Sequence, residues 1–445
     1  ALSDKFKEIK NGKDLNVLIV TDDRPSKGPV LKYCSQIFAN DGYTIYYQKD
    51  IKDQSKLSSP YGAASVELLE NINLVIILTA SHNDLSWNGI KFYIDYPIPM
   101  SGDLFKEISQ RALKYNEIHL KQEFKPIKID VEQKNNDYVI NLLSNIIEIK
   151  AIKNKKIVIW PYLGKARGIV NLFKRLGADV TLIHEELNPP NPIKSLKKDK
   201  LEKVMEEVGS EIALLLDADR DRIALYVKSN EGYNLYIPNE IYSAMHNILA
   251  EEYNKKILNV RTIPSDLRSD HTSFINILTG VGYKHLGIIL YFLLGVEVEQ
   301  SKVDSAILYM EKNDSLINID RPEPLKEQII NLMEDKSLEE ETFLLVMWEE
   351  SGGHTLTLID VSKNKNGNYE FTTDLPIIAD KYPVPALVLI TELLCRGFTI
   401  PKSIDWSIKG INQTIPATDK QKVKLMEDFS ENNEKTINIA GKKYF

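Results

Sequence analysis

The sequence predicts an α/β protein in which one type of α/β domain occurs three times. Three apolar runs rich in β-branched residues are each followed by a turn, and three further apolar runs each lead into a polar loop. Continuous apolar runs are typical of strands buried on both faces of a sheet. The distance from each first turn to the matching polar loop is 58, 56 and 88 residues. The six runs, in chain order, are Leu15–Val20, Asn71–Leu78, Lys156–Trp160, Glu211–Leu216, Ile257–Val260 and Thr342–Trp348.

The domain boundaries follow from this spacing and from the length of 445 residues, which suggests about three domains. We predict an α/β domain 1 over residues 1–128, domain 2 over 129–233 and domain 3 over 234–400. The third spacing is longer by about thirty residues than the other two. We place that excess in an insertion near 287–341 and predict a partial fourth domain over 401–445.

Composition narrows the class of protein. Lys and Arg number 56 against 63 Asp and Glu, and the resulting net charge of −7 argues against nucleic-acid binding, which needs a basic face. Two cysteines, Cys34 and Cys395, are too few for a disulfide framework, and Ala1–Lys10 carries no secretion signal pattern. The longest apolar stretch, Leu286–Val296, has the length of a buried helix rather than of a membrane span. We therefore expect a cytoplasmic protein with no membrane or nucleic-acid partner.

The loop Asp217–Arg222 reads DADRDR and places three carboxylates at alternate positions after a buried strand. In an extended loop this period of two sends Asp217, Asp219 and Asp221 in the same direction. Three converging hard oxygens suit Mg²⁺, and an EF-hand is excluded because the sixth position is arginine rather than glycine. The alternative is a solvated turn with neighbouring Asp–Arg pairs. We favour a metal site because three carboxylates without a cation repel one another.

The loop Thr79–Asn83 reads TASHN and places a hydroxyl beside an imidazole. Ser81 is a candidate nucleophile or phosphate acceptor, although adjacent side chains point apart, so that His82 need not contact the Ser81 oxygen. The alternative is a turn whose polar side chains satisfy backbone groups. Lys91 follows closely as a possible proton donor or phosphate contact.

The third polar loop, Glu349–His354, reads EESGGH and combines acids, a hydroxyl and a Gly-Gly turn. A carboxylate next to a hydroxyl suits the recognition of vicinal sugar hydroxyls, whereas a plain hairpin turn would also use two glycines. All three loops stand at strand ends, where open α/β sheets bind ligands. The segment Gly164–Gly168 lacks the Gly-x-Gly-x-x-Gly fingerprint and gives a dinucleotide site no support.

Taken in order, these loops resemble three motifs of the α-D-phosphohexomutases, the phosphoglucomutase/phosphomannomutase superfamily. The resemblance covers about residues 15–400. It implies three similar α/β domains and a fourth domain around a central cleft. The motifs that carry it are TDDRPS (21–26), SSPYGAAS (58–65), TASHN (79–83), NGIK (88–91), YLGKARG (162–168), DADRDR (217–222), VGYKHL (281–286) and EESGGH (349–354).

The resemblance also implies roles for individual residues. Ser81 would carry the transferable phosphoryl group, and one Mg²⁺ per chain would be held by Asp217, Asp219, Asp221 and the phosphorylated Ser81. Phosphoryl transfer needs positioning and neutralisation of charge, which these residues supply. The expected catalytic residues are Ser81, His82, Lys91 and Arg222, and the expected substrate-binding residues are Lys284, Glu349, Ser351 and His354.

The expected activity is that of an isomerase interconverting glucose or mannose 1- and 6-phosphates, with hexose 1,6-bisphosphate as intermediate and activator. The partners would be small sugar phosphates, and the protein a monomer or homodimer. Asp84 stands where the family usually has proline, and the family's Arg-x-Ser-Gly-Thr phosphate loop does not occur in the sequence. The alternatives are a non-catalytic sugar-phosphate-binding or scaffold homologue, and a Mg²⁺ phosphohydrolase in which water accepts the phosphoryl group.

Overall fold

The centre of each of the three main sheets is formed by parallel strands that are buried on both faces. The computed structural model describes residues 1–50, 52, 54–100, 102–115, 117, 120, 123–298, 308–312, 315–319, 323–408, 418–430, 437–439 and 442–444. Two units are distinguished, Ala1–Trp406 and Ser407–Phe445. In the first unit, alternate residues of the first strand pack into different cores: Leu18 and Val20 into one, Val17 and Ile19 into another.

The first sheet has five strands in the order β4-β3-β1-β2-β5, with only β4 antiparallel to its neighbour. Its strands are β1 (Asn16–Thr21), β2 (Thr44–Gln48), β3 (Leu74–Leu78), β4 (Ile90–Ile94) and β5 (Ile127–Ile129). The helices of this part of the chain are α1 (Leu2–Ile9), α2 (Lys27–Asn40), α3 (Ser59–Leu68) and α4 (Gly102–Ala112).

The second sheet also has five strands, in the order β10-β9-β8-β6-β7. Its strands are β6 (Lys156–Trp160), β7 (Asp179–Leu182), β8 (Ile212–Leu216), β9 (Ile223–Ser229) and β10 (Gly232–Tyr236). The helices of this part are α5 (Val131–Ser144), α6 (Arg167–Arg175), α7 (Lys198–Val208) and α8 (Pro238–Glu251).

The third sheet has seven strands in the order β14-β13-β12-β11-β15-β16-β17. Its strands are β11 (Lys256–Thr262), β12 (Ile275–Thr279), β13 (Leu308–Lys312), β14 (Ser315–Ile319), β15 (Glu340–Trp348), β16 (His354–Lys363) and β17 (Tyr369–Thr372). The helices of this part are α9 (Tyr283–Leu294), α10 (Glu323–Asp335) and α11 (Val384–Cys395).

The three sheets share a four-strand core, which confirms the predicted α/β class and its threefold use. In each sheet a central strand (β1, β6 or β11) pairs in parallel with two neighbours, and the outer edge of one neighbour carries an antiparallel strand. That neighbour is β3, β8 or β15, and each of the three polar loops follows it directly. The three loops therefore occupy equivalent positions in three equivalent sheets.

The predicted strands and the structure agree closely, with one shortened element. Lys156–Trp160 has the predicted bounds, whereas the run predicted to start at Asn71 begins its strand at Leu74. The stretch predicted as a buried helix lies in α9. The division of the first unit at residues 128, 233 and 400 stays a prediction.

The predicted insertion near 287–341 begins inside α9, whose buried residues pack into the core of the third sheet. Its later part contains β13 and β14, which extend that sheet by antiparallel pairing with β12, and α10. Residues 299–307, 313–314 and 320–322 of this segment lie outside the described residues. The described part of the insertion thus enlarges the third sheet at its β12 edge.

The second unit contains helix α12 (Asp419–Ser430) and the antiparallel pair β18 (Ile437–Ile439) and β19 (Lys442–Tyr444). Among the helices that the structure describes, none combines the length and the apolar composition needed to cross a bilayer. The partial fourth domain over 401–445 stays a prediction.

A buried acid ties the last helix of the first unit to a distant loop. Glu392 on α11 is fully buried, and its two carboxylate oxygens accept the backbone N–H groups of residues 150–152 at 2.9–3.1 Å. Arg396 pairs with the same carboxylate at 2.8 Å. One side chain therefore satisfies three consecutive backbone donors of the segment before β6.

Replacing Glu392 by leucine, which has a similar volume, should lower the free energy of unfolding by about 3–5 kcal/mol. Breaking a buried ion pair leaves the partner charge and the backbone donors uncompensated, which accounts for a loss of that size. Urea denaturation measures it. Glu207→Leu on the exposed surface of α7 is the matched control, and equal loss in both variants would contradict the role of Glu392.

Candidate active site

The loop that carries Ser81 (the serine loop, Thr79–Asp84) is held in its conformation by the buried side chain of Arg24. Arg24 is fully buried, pairs with Asp22 at 3.0 Å, and donates hydrogen bonds to the carbonyl oxygens of Ser81, Asn83 (3.1 Å) and Asp84 (2.7 Å). Asp22 and Arg24 thus fold the serine loop from 57 or more residues away in the sequence.

Ser81 lies at the apex of this loop in a left-handed backbone conformation, with φ of 53°. Its backbone N–H donates to Thr79 Oγ1 at 2.9 Å, and the Thr79 hydroxyl donates to Asp22 Oδ2 at 2.7 Å. A non-glycine residue with positive φ is uncommon, and such strain clusters at functional sites. The contacts hold Ser81 in a conformation that a free turn would rarely adopt.

The three aspartates of the loop Asp217–Arg222 (the metal loop) converge as predicted. One carboxylate oxygen from each of Asp217, Asp219 and Asp221 lies within 4.8 Å of the other two, and all three residues are buried. Oδ1 of Asp219 and Oδ1 of Asp221 have no hydrogen-bond partner among the described residues. Two buried carboxylate oxygens without a hydrogen bond in that part of the chain, beside a third buried carboxylate, fit a hard divalent cation.

The ammonium group of Lys91 forms ion pairs with two members of this cluster. Its Nζ lies 2.9 Å from Asp219 Oδ2 and 3.1 Å from Asp221 Oδ2. Although burial acts to lower the pKa of Lys91, the two aspartates hold it well above its usual range. Burial, followed by repulsion from the other two aspartates, holds the pKa of Asp217 well above its usual range. Lys91 therefore neutralises only part of the negative charge of the three aspartates.

The predicted catalytic residues meet at this point. Ser81 Oγ is 3.5 Å from Asp217 Oδ2 and 3.3 Å from His82 Nδ1. His82 Nε2 lies 3.4 Å from Arg222 Nη1. Burial, with Arg222 next in effect, lowers the pKa of His82 to about 4. The structure thus brings Ser81, His82 and Arg222 together, including the Ser–His contact that adjacency in the sequence did not guarantee.

The loop predicted to bind the sugar, Glu349–His354 (the sugar loop), forms an ion pair with a lysine that sequence reasoning missed. Lys381 pairs with Glu349 Oε1, which also accepts the Ser351 hydroxyl. A Cβ on Gly353 would lie 2.9 Å from the Lys381 side chain, so this glycine permits the approach. Gly352, with φ of 111°, packs against Arg222. Lys381 lies in the connection between β17 and α11, which carries no recognisable motif, and only its charge could have marked it.

Five charged residues line one cavity of about 400 Å³. Lys91 and Asp221 contribute from the first two sheets, and Lys284, Asp380 and Lys381 from the part of the chain that forms the third. Phe92 and Phe105, whose rings stack with centroids 6.0 Å apart, line the same cavity. The predicted residue Lys284 therefore lies beside Lys91 and Asp221 of the predicted site.

His354, which we predicted as a substrate contact, lies in the interior. It is fully buried, its Nε2 is 3.1 Å from Nε2 of His246, and its ring packs against Tyr242. Its backbone oxygen accepts the N–H of Tyr382, the residue after Lys381. In this position His354 supports the sugar loop, and we do not include it among the groups that contact a sugar.

The carboxylate of Asp84, the residue that departs from the family pattern, accepts three hydrogen bonds. It accepts the backbone N–H and hydroxyl of Ser86 at 2.9 and 2.6 Å and the amide of Asn188 at 2.8 Å. These bonds lower its pKa, so it is ionised near neutral pH. Since three donors stabilise this charge locally, its effect on the serine loop is reduced.

Comparison with known proteins finds a family model that matches the first part of the chain. Residues 1–119 match the family model described as phosphoglucomutase/phosphomannomutase, alpha/beta/alpha domain I. The predicted resemblance to the α-D-phosphohexomutase superfamily is thereby confirmed over these residues.

Two relatives are similar over part of their length. A phosphomannomutase of Escherichia coli is 30% identical over 173 residues, which are 36% of this chain and 38% of the relative. A phosphoglucosamine mutase of Alkaliphilus oremlandii (strain OhILAs) is 26% identical over 161 residues, or 35% and 36% of the two chains. The matched region thus spans little more than a third of these relatives.

Solved structures extend the similarity of fold to most of the chain. A structure described as a phosphomannomutase from Thermus thermophilus superposes with a TM-score of 0.59 at 16% identity, covering 90% of this chain and 77% of the other. A phosphoglucomutase/phosphomannomutase family protein from Burkholderia thailandensis gives a TM-score of 0.52 at 15% identity, covering 88% and 70%. At these identities the comparison establishes the multi-domain α/β fold.

The buried histidine pair should make stability depend on pH. Burial lowers the pKa of His246 to about 3 and holds that of His354 well below its usual range. The unfolded chain takes up protons below about pH 6.5 while the folded chain does not, so stability falls as pH falls through that window. From pH 7 to pH 5 each histidine should cost about 2 kcal/mol.

Urea denaturation of His246→Gln between pH 7 and pH 5 tests this. The variant should lose about half of the pH-dependent destabilisation that the pair causes, since one buried titrating group remains. His184→Gln, at an exposed position, is the control and should follow the unmodified chain. An unchanged pH dependence in His246→Gln would show that the pair is not kept neutral by burial.

Proposed function

We propose that the chain is a Mg²⁺-dependent phosphohexomutase that interconverts hexose 1-phosphates and hexose 6-phosphates through a phosphoserine at Ser81. The observation that carries this proposal is the position of Ser81 Oγ, 3.5 Å from Asp217 Oδ2 at the edge of the three-carboxylate cluster. Lys91 binds two members of that cluster. A nucleophilic oxygen beside a cation site and a fixed lysine is the arrangement that phosphoryl transfer requires.

The metal part of the proposal rests on the donor set. Asp217, Asp219 and Asp221 would hold one Mg²⁺ per chain, together with the phosphorylated Ser81. A bound Mg²⁺ would neutralise charge on the phosphoryl oxygens as the group is transferred. The two buried aspartate oxygens without partners among the described residues support this assignment.

The chemical step is an exchange of one phosphoryl group between two oxygens. The free hydroxyl oxygen of the sugar phosphate bonds to the phosphorus of phospho-Ser81 while the bond from phosphorus to Ser81 Oγ breaks. The hydroxyl proton passes to Ser81 Oγ, and His82 Nδ1, 3.3 Å from that oxygen, is within reach to deliver it. The products are free serine and hexose 1,6-bisphosphate.

The second half of the reaction reverses this step with the bisphosphate turned over in the cleft. Its other phosphoryl group returns to Ser81, and the sugar oxygen takes back the proton. Lys91, Arg222, Lys284 and Lys381 supply positive charge around the transferred group and the substrate. No external cofactor is consumed, although hexose 1,6-bisphosphate would phosphorylate an unmodified Ser81 and so act as activator.

The sugar would be recognised by Glu349 and Ser351. In the structure Lys381 and the Ser351 hydroxyl bind one oxygen of Glu349. That carboxylate is thus oriented and can accept sugar hydroxyls. We favour glucose and mannose phosphates. Because the relatives include phosphoglucosamine mutases, assays should compare glucose, mannose and glucosamine phosphates. The proposal keeps a cytoplasmic monomer or homodimer whose partners are small sugar phosphates.

Ser81→Ala should abolish mutase activity, by at least about 10⁴-fold, because the only proposed phosphoryl carrier is removed. Activity is followed as conversion of each hexose 1-phosphate to its 6-phosphate. A mass map after incubation with Mg²⁺ and glucose 1,6-bisphosphate should place phosphate on Ser81. Ser109→Ala, at an exposed serine of α4, is the control.

The outcomes of this experiment separate the alternatives. Retained isomerisation in Ser81→Ala would remove the phosphoserine from the proposal. Release of inorganic phosphate without isomerisation would indicate a phosphohydrolase. Binding of sugar phosphate by a folded protein whose Ser81 stays unmodified would indicate a non-catalytic homologue.

Asp219→Asn should weaken Mg²⁺ binding by about tenfold or more, because it removes one ligand charge from the cluster. Isothermal titration calorimetry measures this, and circular dichroism checks that the variant is folded. Asp199→Asn at an exposed position of α7 removes the same charge elsewhere and should bind Mg²⁺ normally. Equal metal affinity in the two variants would show that the ion binds at another place.

A further inference from the structure

A second cavity adjoins the metal loop, and none of the residues placed in the active site lines it. Its volume is about 150 Å³, and it lies between the first and second sheets. Arg220, the residue between Asp219 and Asp221, forms part of its wall, as does Tyr61. The metal loop therefore borders two cavities, and the proposed reaction uses only one of them.

The wall of this cavity carries an excess of positive charge. Its cations are Lys56, Lys165, Arg167 and Arg220, against the two carboxylates of Asp23 and Glu132. Asp23 already pairs with both Lys56 (2.6 Å) and Arg220 (2.7 Å), and Glu132 pairs with Arg167 (2.8 Å). Lys165 is exposed and forms no ion pair within the described residues.

The crowding of cations extends to Lys27, which also contacts Asp23, at 3.5 Å. Burial, with Lys56 acting in the same direction, lowers the pKa of Lys27 to about 8, although Asp23 opposes the shift. A single carboxylate thus serves Lys27, Lys56 and Arg220. An anion in the cavity would relieve this imbalance.

Several hydrogen-bond donors at the cavity wall have no partner among the described residues. Nε of Arg220, a residue only 3% exposed, and Oγ of Ser58 are buried without a hydrogen bond in that part of the chain. The nine-residue helix α6 begins at the same wall, and its N-cap residue, Ala166, provides no side-chain cap. The first N–H groups of a helix have no intrahelical partner and attract anions. Gly168 and Ile169, in that first turn, line the cavity.

We propose that this cavity binds a phosphate-type anion, either inorganic phosphate or the phosphoryl group of a small phosphate monoester. Lys56, Lys165, Arg220 and Ser58 face it with side-chain donors, and the first turn of α6 supplies backbone N–H groups. A larger groove of about 840 Å³ adjoins it, shares Arg167 and Glu132 with it, and is lined by Lys174 and Arg175. That groove has room for the remainder of a monoester.

Binding here is coupled to the metal loop through two direct connections. Arg220 belongs to the loop, and Ser59, next to Ser58, donates its hydroxyl to Asp219 Oδ2 at 2.8 Å and its N–H to the Asp219 carbonyl at 2.9 Å. An anion neutralises positive charge beside the three aspartates and so favours a divalent cation there. Anion and Mg²⁺ should therefore strengthen each other's binding by the same factor.

Calorimetric titration with inorganic phosphate, without Mg²⁺, tests the site. Lys165→Gln should weaken phosphate binding about tenfold, the loss expected for one charge-assisted hydrogen bond. Lys56→Gln should act in the same direction. Lys13→Gln removes an equal charge at an exposed position outside the cavity and should leave binding unchanged. Phosphate affinities that are the same in Lys165→Gln, Lys56→Gln and the unmodified chain would overturn the proposal.

The source of the anion is resolved by repeating the titration with glycerol 1-phosphate. Tighter binding of the monoester, lost in Arg175→Gln, identifies the groove as part of the site, whereas equal affinities identify inorganic phosphate as the ligand. The coupling is tested by Mg²⁺ titration with and without phosphate. The affinity should rise with phosphate in the unmodified chain and not in Lys165→Gln, and no rise in either would refute the coupling.

These measurements are independent of the proposed mutase activity. Loss of phosphate binding in Lys165→Gln together with an unmodified Ser81 would support the anion site and refute the proposed function. Unchanged phosphate binding in Lys165→Gln together with phosphate on Ser81 would support the proposed function and refute the anion site.

Discussion

The three buried aspartates at the end of β8 impose the constraint on which the rest of the active site depends. A cluster of carboxylates in the interior is unstable unless cations or donors compensate it. The structure draws this compensation from all three sheets. Lys91 comes from the first, Arg222 from the second and Lys381 from the third. The position of these charges therefore links the three α/β domains around one point.

The repeated four-strand core explains why the three polar loops can meet at that point. Each loop follows the strand beside the central one, at the edge where it turns back into an antiparallel strand. Because the strand is buried, packing in the core fixes the position of its last residue. The loop that begins there therefore starts from a fixed point. A loop built in this way has few alternative conformations, which lowers the entropy cost of positioning its side chains.

Local pattern in the sequence was sufficient for the strands, the three loops and the convergence of the aspartates. These features depend on periodicity and on residues close to one another in the chain, which a single sequence displays directly. The bounds of β6 and the convergence of the three aspartates were predicted for this reason, whereas the placing of Ser81 and Asp217 in one site was implied only by the family resemblance. The resemblance to a known family then joined loops that spacing alone could only align. Contacts between distant residues could not be predicted in the same way. Arg24 folds a loop 57 residues away, and Ser59 supports an aspartate 160 residues away. Both stand in motifs of the family resemblance, but neither motif indicates these distant partners.

The alternation that gathers the aspartates also determines what lies behind them. In DADRDR Asp219 and Asp221 bind Lys91, Ala218 is buried, and Arg220 takes a left-handed conformation with φ of 63°. Arg220 then bonds to Asp23 and to the Leu163 carbonyl, on the side of the loop where α6 begins. The loop thus carries the three aspartates on one face and the positive charge of Arg220 on the other. A change in charge on either face must alter the electrostatic potential at the opposite one, because a single short segment carries both.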